Sequence, residues 1–310
     1  MNAILLMLAG FVCAGLGGEL FVRGAVGIAR RARIPAGIVG ATVAAFATSS
    51  PELAVALVSA SEGTPTVSFG NLLGANIVNV GFALGLAVAI GGLKTTRARI
   101  GRDYGVAVVA PIATGLLLLD GGLSRIDGVV LLGFFFAWLA ITVHEARRQR
   151  SAAAAVLGER GGRGRTLAIT GLGLVLLIIA GELVVSGAHG VGDALGLDPF
   201  VVGATLVAVG TTLPELATLV ISRLRGHDEV GLGTVLGSNV FNGLFIVGLV
   251  AVLSPFEVPI AEAGIPVILG ALLVALIYPS PSGRIERRRG FALLALYVVH
   301  LAALLQFRGG

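Results

Sequence analysis

The 310-residue sequence predicts an all-α, polytopic membrane protein of about ten transmembrane helices in two inverted-topology five-helix repeats. Three observations carry this expectation. Hydrophobic residues make up 56% of the chain and charged residues only 13%, about half the charged share of a soluble domain. The basic residues lie almost wholly between apolar runs and favour alternate loops. One polar motif also occurs twice, 163 residues apart, inside runs that are otherwise apolar.

A helical span needs roughly 20 apolar residues. On that ruler the spans fall at 3–29, 36–61, 67–92, 104–119, 126–145, 166–191, 199–222, 230–253, 258–278 and 289–307. Residues 1–145 form the first repeat, 146–165 an Arg- and Gly-rich cytoplasmic linker, and 166–310 the second repeat. The first apolar run has no basic residues before it, and Arg30 and Arg31 follow it. It therefore reads as a first helix and not as a cleaved leader. Cys13 is the sole cysteine, which excludes an intrachain disulfide or a thiolate metal site.

Basic residues cluster in the loops at 30–33, 94–102, 147–165, 223–225 and 284–289, whereas the opposite loops and the termini hold only Arg125 and Arg308. By the positive-inside rule the first set faces the cytoplasm. Both termini are then extracytoplasmic, as an even number of spans requires, in a multi-pass protein of the cell membrane. The net charge of +5 reflects this orientation and is no signal for nucleic acid.

The doubled motif reads Gly40-Ala-Thr-Val-Ala-Ala-Phe-Ala-Thr-Ser-Ser-Pro-Glu52 and Gly203-Ala-Thr-Leu-Val-Ala-Val-Gly-Thr-Thr-Leu-Pro-Glu215. Gly74-Ala-Asn-Ile-Val-Asn79 and Gly237-Ser-Asn-Val-Phe-Asn242 follow. Glu19 with Glu182, Thr42 with Thr205, Glu52 with Glu215 and Asn79 with Asn242 (182 − 19, 205 − 42, 215 − 52, 242 − 79) all differ by 163. From Gly18–Asn79 to Gly181–Asn242 the alignment is ungapped and about 40% identical. Chance similarity of apolar helices matches Leu and Val; it does not match Pro-Glu and Asn-x-x-Asn. Five spans per repeat is an odd number, so the second repeat enters the membrane from the opposite side.

Glu52 and Glu215 fall near the middles of their spans, as do Asn79 and Asn242. A charged side chain there costs about 2.5–3.5 kcal/mol on insertion scales. Two facing carboxylates also repel unless a cation or protons lie between them. Pro51 and Pro214 lack an N–H, so each helix is expected to bend just before its glutamate and free the Ala47 or Gly210 carbonyl. Beside each carboxylate stand two hydroxyls, Thr48 with Ser49 and Thr211 with Thr212. An all-oxygen set suits hard cations. Calcium takes about six to eight oxygens, sodium could use the same ones, and magnesium holds its waters too firmly. Asn79 and Asn242 are read as amide ligands, and Asn76 and Asn239 as interhelical hydrogen-bond partners. The runs Gly70–Gly74 and Gly233–Gly237 are read as close-packing faces.

At these motifs the chain resembles the sodium/calcium exchangers of the cation/calcium exchanger superfamily, as a compact prokaryotic member. The match covers both signature repeats in order and spacing. The resemblance implies that the second, third, seventh and eighth helices hold the ions while the first and sixth slide across them. It implies calcium ligation by Glu52, Glu215, Thr48 and Thr211. It implies sodium positions that add Ser49, Thr212, Ser238 and the carbonyls of Ala45 and Ala208, with Asn79 and Asn242 lining the centre. The chain departs from the family where Ala75 replaces a common serine, where Asn242 stands for an occasional aspartate, and at Ala47 and Ser50.

The expected activity is antiport of calcium against sodium through a mid-membrane carboxylate site, with the lipid bilayer and the two ions as partners and no cofactor. Carboxylates in a low-dielectric cavity can also carry protons, so a proton/calcium exchanger is the alternative, followed by a cation channel. The glutamates have no histidine partner at hydrolase spacing, and no nucleophile motif accompanies them; an enzyme is not expected.

Overall fold

The computed structural model describes residues 3–153, 163–195 and 208–308. Gly203, Ala204 and Thr205 of the second motif copy, and residues 154–162 of the expected linker, lie outside them. The chain enters through α1 (Ala3–Ala32) and α2 (Ala36–Thr48), then α3 (Ser50–Ser61) and α4 (Pro65–Gly91). Next come β1 (Leu93–Lys94), α5 (Arg97–Leu117), β2 (Gly122–Leu123) and α6 (Arg125–Ala153). The second half supplies α7 (Arg163–Leu195), α8 (Ala208–Thr211), α9 (Leu213–Leu224) and α10 (Asp228–Leu253). It ends with β3 (Phe256–Glu257), α11 (Ile260–Leu276), β4 (Arg284–Ile285) and α12 (Arg287–Arg308).

Six of these helices, α1, α4, α5, α6, α7 and α10, are long and apolar enough to cross a membrane, and α2 with α3 forms a further span bent by 46°. Of the other expected spans, 199–222 begins outside the described residues, α11 has 17 residues, and α12 ends at Arg308. The distribution of side chains is that of a membrane protein. Large apolar groups face outward, such as Val12 at 63%, Ile126 at 75% and Ile268 at 70% exposure, while Glu52 and Glu215 are buried.

Corresponding places in the two halves fold alike. The break between α2 and α3 falls at Ser49 (φ −88°, ψ 11°), and that between α8 and α9 at Thr212 (φ −87°, ψ 3°). The prolines that follow sit in the first turns of α3 and α9, where a missing N–H is tolerated. Both helices end in the same turn. Thr64 N–H donates to the Ser59 carbonyl and His227 N–H to that of Ser222, each at 2.8 Å, over glycines with φ +72° at 63 and 226. Such a left-handed glycine satisfies the last carbonyls of a helix. π-helical segments at Val78–Leu84 and Phe241–Ile246 then interrupt α4 and α10.

The two-residue strands tie the halves together. β1 pairs antiparallel with β4 (Leu93 with Ile285), and β2 with β3 (Leu123 with Phe256). Strand β3 corresponds to β1 (256 − 93 = 163) and β4 to β2 (285 − 123 = 162), so each small sheet takes one strand from each half. Helix α1 lies along α7, and α2 lies against α10. The second contact is close: a Cβ at Gly40 would come within 2.5 Å of the Val230 carbonyl oxygen, and one at Gly233 within 2.5 Å of that of Gly37. The Gly233–Gly237 run is thus the packing face its composition suggests, whereas the Gly70–Gly74 run is not: a Cβ at Gly70 or Gly74 would meet no described atom of another element within 4 Å.

Candidate cation site

The sequence puts two proline-marked breaks next to two glutamates, and packing of α2, α4, α9 and α10 brings both together. Glu52, in the first turn of α3, is 3% exposed, and Glu215, in the first turn of α9, is 1% exposed. They lie within electrostatic range of each other. A helix N-terminus carries unpaired N–H groups and partial positive charge, which makes it a favourable place for a carboxylate.

Hydroxyls gather on Glu215. Ser49 Oγ donates to its Oε1 at 3.4 Å and Ser238 Oγ to the same oxygen at 3.3 Å. Thr48 Oγ1 stands 3.5 Å from Ser238 Oγ and donates to the Ala44 carbonyl at 3.1 Å. Ser49 and Ser238 thus belong to one cluster although 189 residues separate them (238 − 49). Thr212 is buried, Thr211 partly so, and both make interactions of their own. The Ala45 carbonyl accepts the Ser49 N–H at 3.0 Å and the Thr48 hydroxyl at 3.4 Å. Ala208 opens α8. The Ala47 carbonyl loses the N–H that Pro51 lacks, but it accepts a backbone N–H at the helix end and the Ser50 Oγ hydroxyl at 2.7 Å. Leu213 holds the corresponding place and has no hydroxyl to do this.

The asparagines form a reciprocal clasp between α4 and α10. Asn76 Nδ2 donates to the Asn239 carbonyl and Asn239 Nδ2 to the Asn76 carbonyl, each at 3.3 Å. Asn79 Nδ2 donates to Asn239 Oδ1 at 3.3 Å, and Asn242 Nδ2 to Asn76 Oδ1 at 3.2 Å. With their amino groups engaged, Asn79 and Asn242 keep their Oδ1 atoms buried and, among the described residues, without a hydrogen-bond partner, as are Oε2 of Glu52 and Oε2 of Glu215. Buried unpaired oxygens cost about 1–3 kcal/mol each, more if charged. Four of them on corresponding residues are a donor set for a cation.

The chemistry of that set is hard, with its charge confined to two carboxylates. Among the described residues no three His, Cys, Asp or Glu side chains gather, so two carboxylates supply all the charge and amides, hydroxyls and carbonyls supply the rest. Oxygen-only donors fit calcium or sodium and exclude a thiolate or imidazole site. The reading of Asn76 and Asn239 as interhelical hydrogen-bond partners is borne out. What sequence reasoning missed is the pairing, because the partners lie about 160 residues apart and Asn79 and Asn242 join the same clasp. It also missed a buried network at the basic end. There Asp103 accepts from Arg102 Nε at 2.7 Å, from Arg102 Nη2 at 2.8 Å and from Trp138 Nε1 at 3.0 Å.

Known proteins match the chain over nearly its whole length. The profile of the sodium/calcium exchanger protein family matches residues 2–143 and 165–306. The putative antiporter CaxA of Alkalimonas amylolytica is 30% identical over 307 residues, covering 96% of each chain. The sodium/calcium exchanger MaX1 of Methanosarcina acetivorans is 27% identical over 343 residues, covering 97% of each. The solved structure of the sodium/calcium exchanger from Methanococcus jannaschii superposes with a TM-score of 0.81 at 29% identity, covering 97% of each chain.

Proposed function

Since the chain belongs to the sodium/calcium exchanger protein family and is a membrane-embedded cation/calcium exchanger, not an enzyme, we propose that it exchanges calcium for sodium by alternating access. The ion site lies between Glu52 and Glu215. The supporting observation is the set of four buried oxygens without a hydrogen-bond partner among the described residues, on Glu52, Glu215, Asn79 and Asn242. Thr48, Ser49, Thr211, Thr212 and Ser238 and the carbonyls of Ala45 and Ala208 complete the ligands.

Ten spans in two inverted repeats, 1–145 and 166–310, joined by the cytoplasmic linker 146–165, bring the two motif copies to mid-membrane from opposite sides. The loops rich in arginine face the cytoplasm and both termini face outward across the cell membrane. Without a cation the site holds two uncompensated carboxylates, and closing apolar helices over that charge is costly. Loaded with one calcium or two monovalent cations, the pair is neutral and can be occluded. That electrostatic barrier makes the transport an exchange and not a leak.

Purified protein in proteoliposomes, with sodium, potassium and proton gradients imposed in turn, tests this. Calcium uptake is expected only against an opposing sodium gradient. Uptake driven by a proton gradient alone establishes proton/calcium exchange instead, and uptake with no counter-ion refutes exchange. Glu52→Gln and Glu215→Gln are expected to abolish uptake while the protein stays folded.

A further inference from the structure

The amide clasp does more than join two helices, and we infer that Asn76 and Asn239 are positioning residues which fix the amides of Asn79 and Asn242 so that their carbonyl oxygens face the ion. This rests on the reading of Asn79 and Asn242 as ligands and deepens it.

An asparagine amide has two faces of opposite character, a donor NH2 and an acceptor oxygen. An untethered amide beside a cation can turn either end toward it, and the NH2 end repels. In this protein the choice is made by the neighbouring helix. Asn239 Oδ1 holds the NH2 of Asn79, and Asn76 Oδ1 holds the NH2 of Asn242. Each tether is itself locked. The NH2 of Asn239 is spent on the Asn76 carbonyl and that of Asn76 on the Asn239 carbonyl, so neither can flip without losing a bond. The remaining atoms, Oδ1 of Asn79 and Oδ1 of Asn242, are buried and have no hydrogen-bond partner among the described residues.

The packing directs them across the repeat. The π-helical segment that carries Asn79 packs on α9, the helix of Glu215, and the segment that carries Asn242 packs on α3, the helix of Glu52. The extra residue in a π turn re-aims the side chains that follow it and is frequent at functional sites. Asn76 and Asn239 stand behind this layer, where they line a small cavity with Pro111, Thr114, Pro266 and Gly243. They touch the ligand amides and the helices outside, and act on the ion only through Asn79 and Asn242. An aspartate at 242 could not donate to Asn76 while ionised; the clasp and the neutral centre therefore belong together.

A double-mutant cycle separates positioning from plain structural support. Calcium affinity is measured by direct binding to the purified protein, and KM and Vmax by uptake into proteoliposomes. Asn79→Ala is expected to weaken calcium binding roughly tenfold, about 1.4 kcal/mol, and Asn239→Ala to weaken it similarly through KM with Vmax preserved. The double variant is expected to be no weaker than Asn79→Ala alone, since Asn239 has nothing left to orient. Asn239→Ala paired with Asn242→Ala is expected to be additive. The mirror cycle, Asn76→Ala with Asn242→Ala, decides the matter if Asn239→Ala does not fold. Multiplying losses in Asn79→Ala/Asn239→Ala overturn the positioning role. Unchanged binding in Asn79→Ala overturns the ligand reading beneath it, an outcome distinct from the first.

Discussion

Replacing Gly237 with alanine tests whether helix packing sets the geometry of the site. A Cβ on Gly237 would lie 2.7 Å from both the Cα and the carbonyl carbon of Ala41, and nearer still to its oxygen. Carbon–carbon contacts are comfortable at about 3.5–4.0 Å, so α10 must move from α2 by roughly 1 Å. Backbone cannot rotate out of the way as a side chain does, and overpacking of this kind costs about 1–3 kcal/mol. Ser238 is the next residue. Its hydroxyl sits 3.5 Å from Thr48 Oγ1 and 3.3 Å from Glu215 Oε1, both near the limit of hydrogen bonding, and a displacement of that size breaks the first.

Gly237→Ala should therefore lower the thermal unfolding midpoint in detergent and raise the calcium KM about tenfold or more, since roughly 1.4 kcal/mol is a factor of ten. Gly133→Ala is the control: a Cβ at Gly133 in α6 would meet no described atom outside its own helix backbone within 4 Å, so melting should not fall and KM should not change. Wild-type melting and wild-type KM in Gly237→Ala would refute the contact itself. A destabilised variant with an unchanged KM would refute the link from this packing face to the site.

Other perturbations follow from the same contacts. Asp103→Ala strips Arg102 and Trp138 of a shared buried acceptor and should destabilise the protein by about 3 kcal/mol. Trp138 is the sole tryptophan, so its fluorescence should shift in the same variant. Ser50→Ala removes one of two donors to the Ala47 carbonyl and should cost at most about 1 kcal/mol in unfolding experiments with transport retained; loss of transport would make Ser50 part of the ion path. Arg225→Ala removes an exposed pair with Glu19 (2.8 Å, side chains 53% and 19% exposed) and should change stability by less than about 1 kcal/mol, an effect that disappears at high salt.

The breaks before Glu52 and Glu215 were legible because proline acts locally: it removes one N–H and perturbs one turn, wherever the chain goes next. The glycine face of α10 was legible for a similar reason. The interhelical role of Asn76 and Asn239 was legible too, but the pairing within the clasp was not, since each of its bonds joins residues separated by 160 positions or more. Ser50 hid its role differently. A serine after a helix break reads equally as a ligand, a cap or a solvated hydroxyl, and only the 2.7 Å bond to Ala47 chooses. The strands were invisible because two-residue pairs leave no alternation to read, and Leu93 with Lys94 offers none.

Symmetry explains why the local signals sufficed for the two helix breaks and failed elsewhere. The strand exchange, the helix ends at Gly63 and Gly226 and the clasp all come in corresponding pairs, so a feature seen in one half is a test of the other. Where the halves differ, the copies no longer check each other. Ala75 corresponds to Ser238, and only Ser238 puts a hydroxyl on a glutamate. Glu19 pairs with both Arg23 and Arg225, whereas the corresponding residues are Glu182, Ser186 and Glu62, which cannot make an ion pair among themselves. The differences thus concentrate in single side chains around a common backbone. A duplicated fold fixes where two carboxylates meet, while unpaired substitutions such as Ala75 and Arg225 make the two approaches to them chemically unequal.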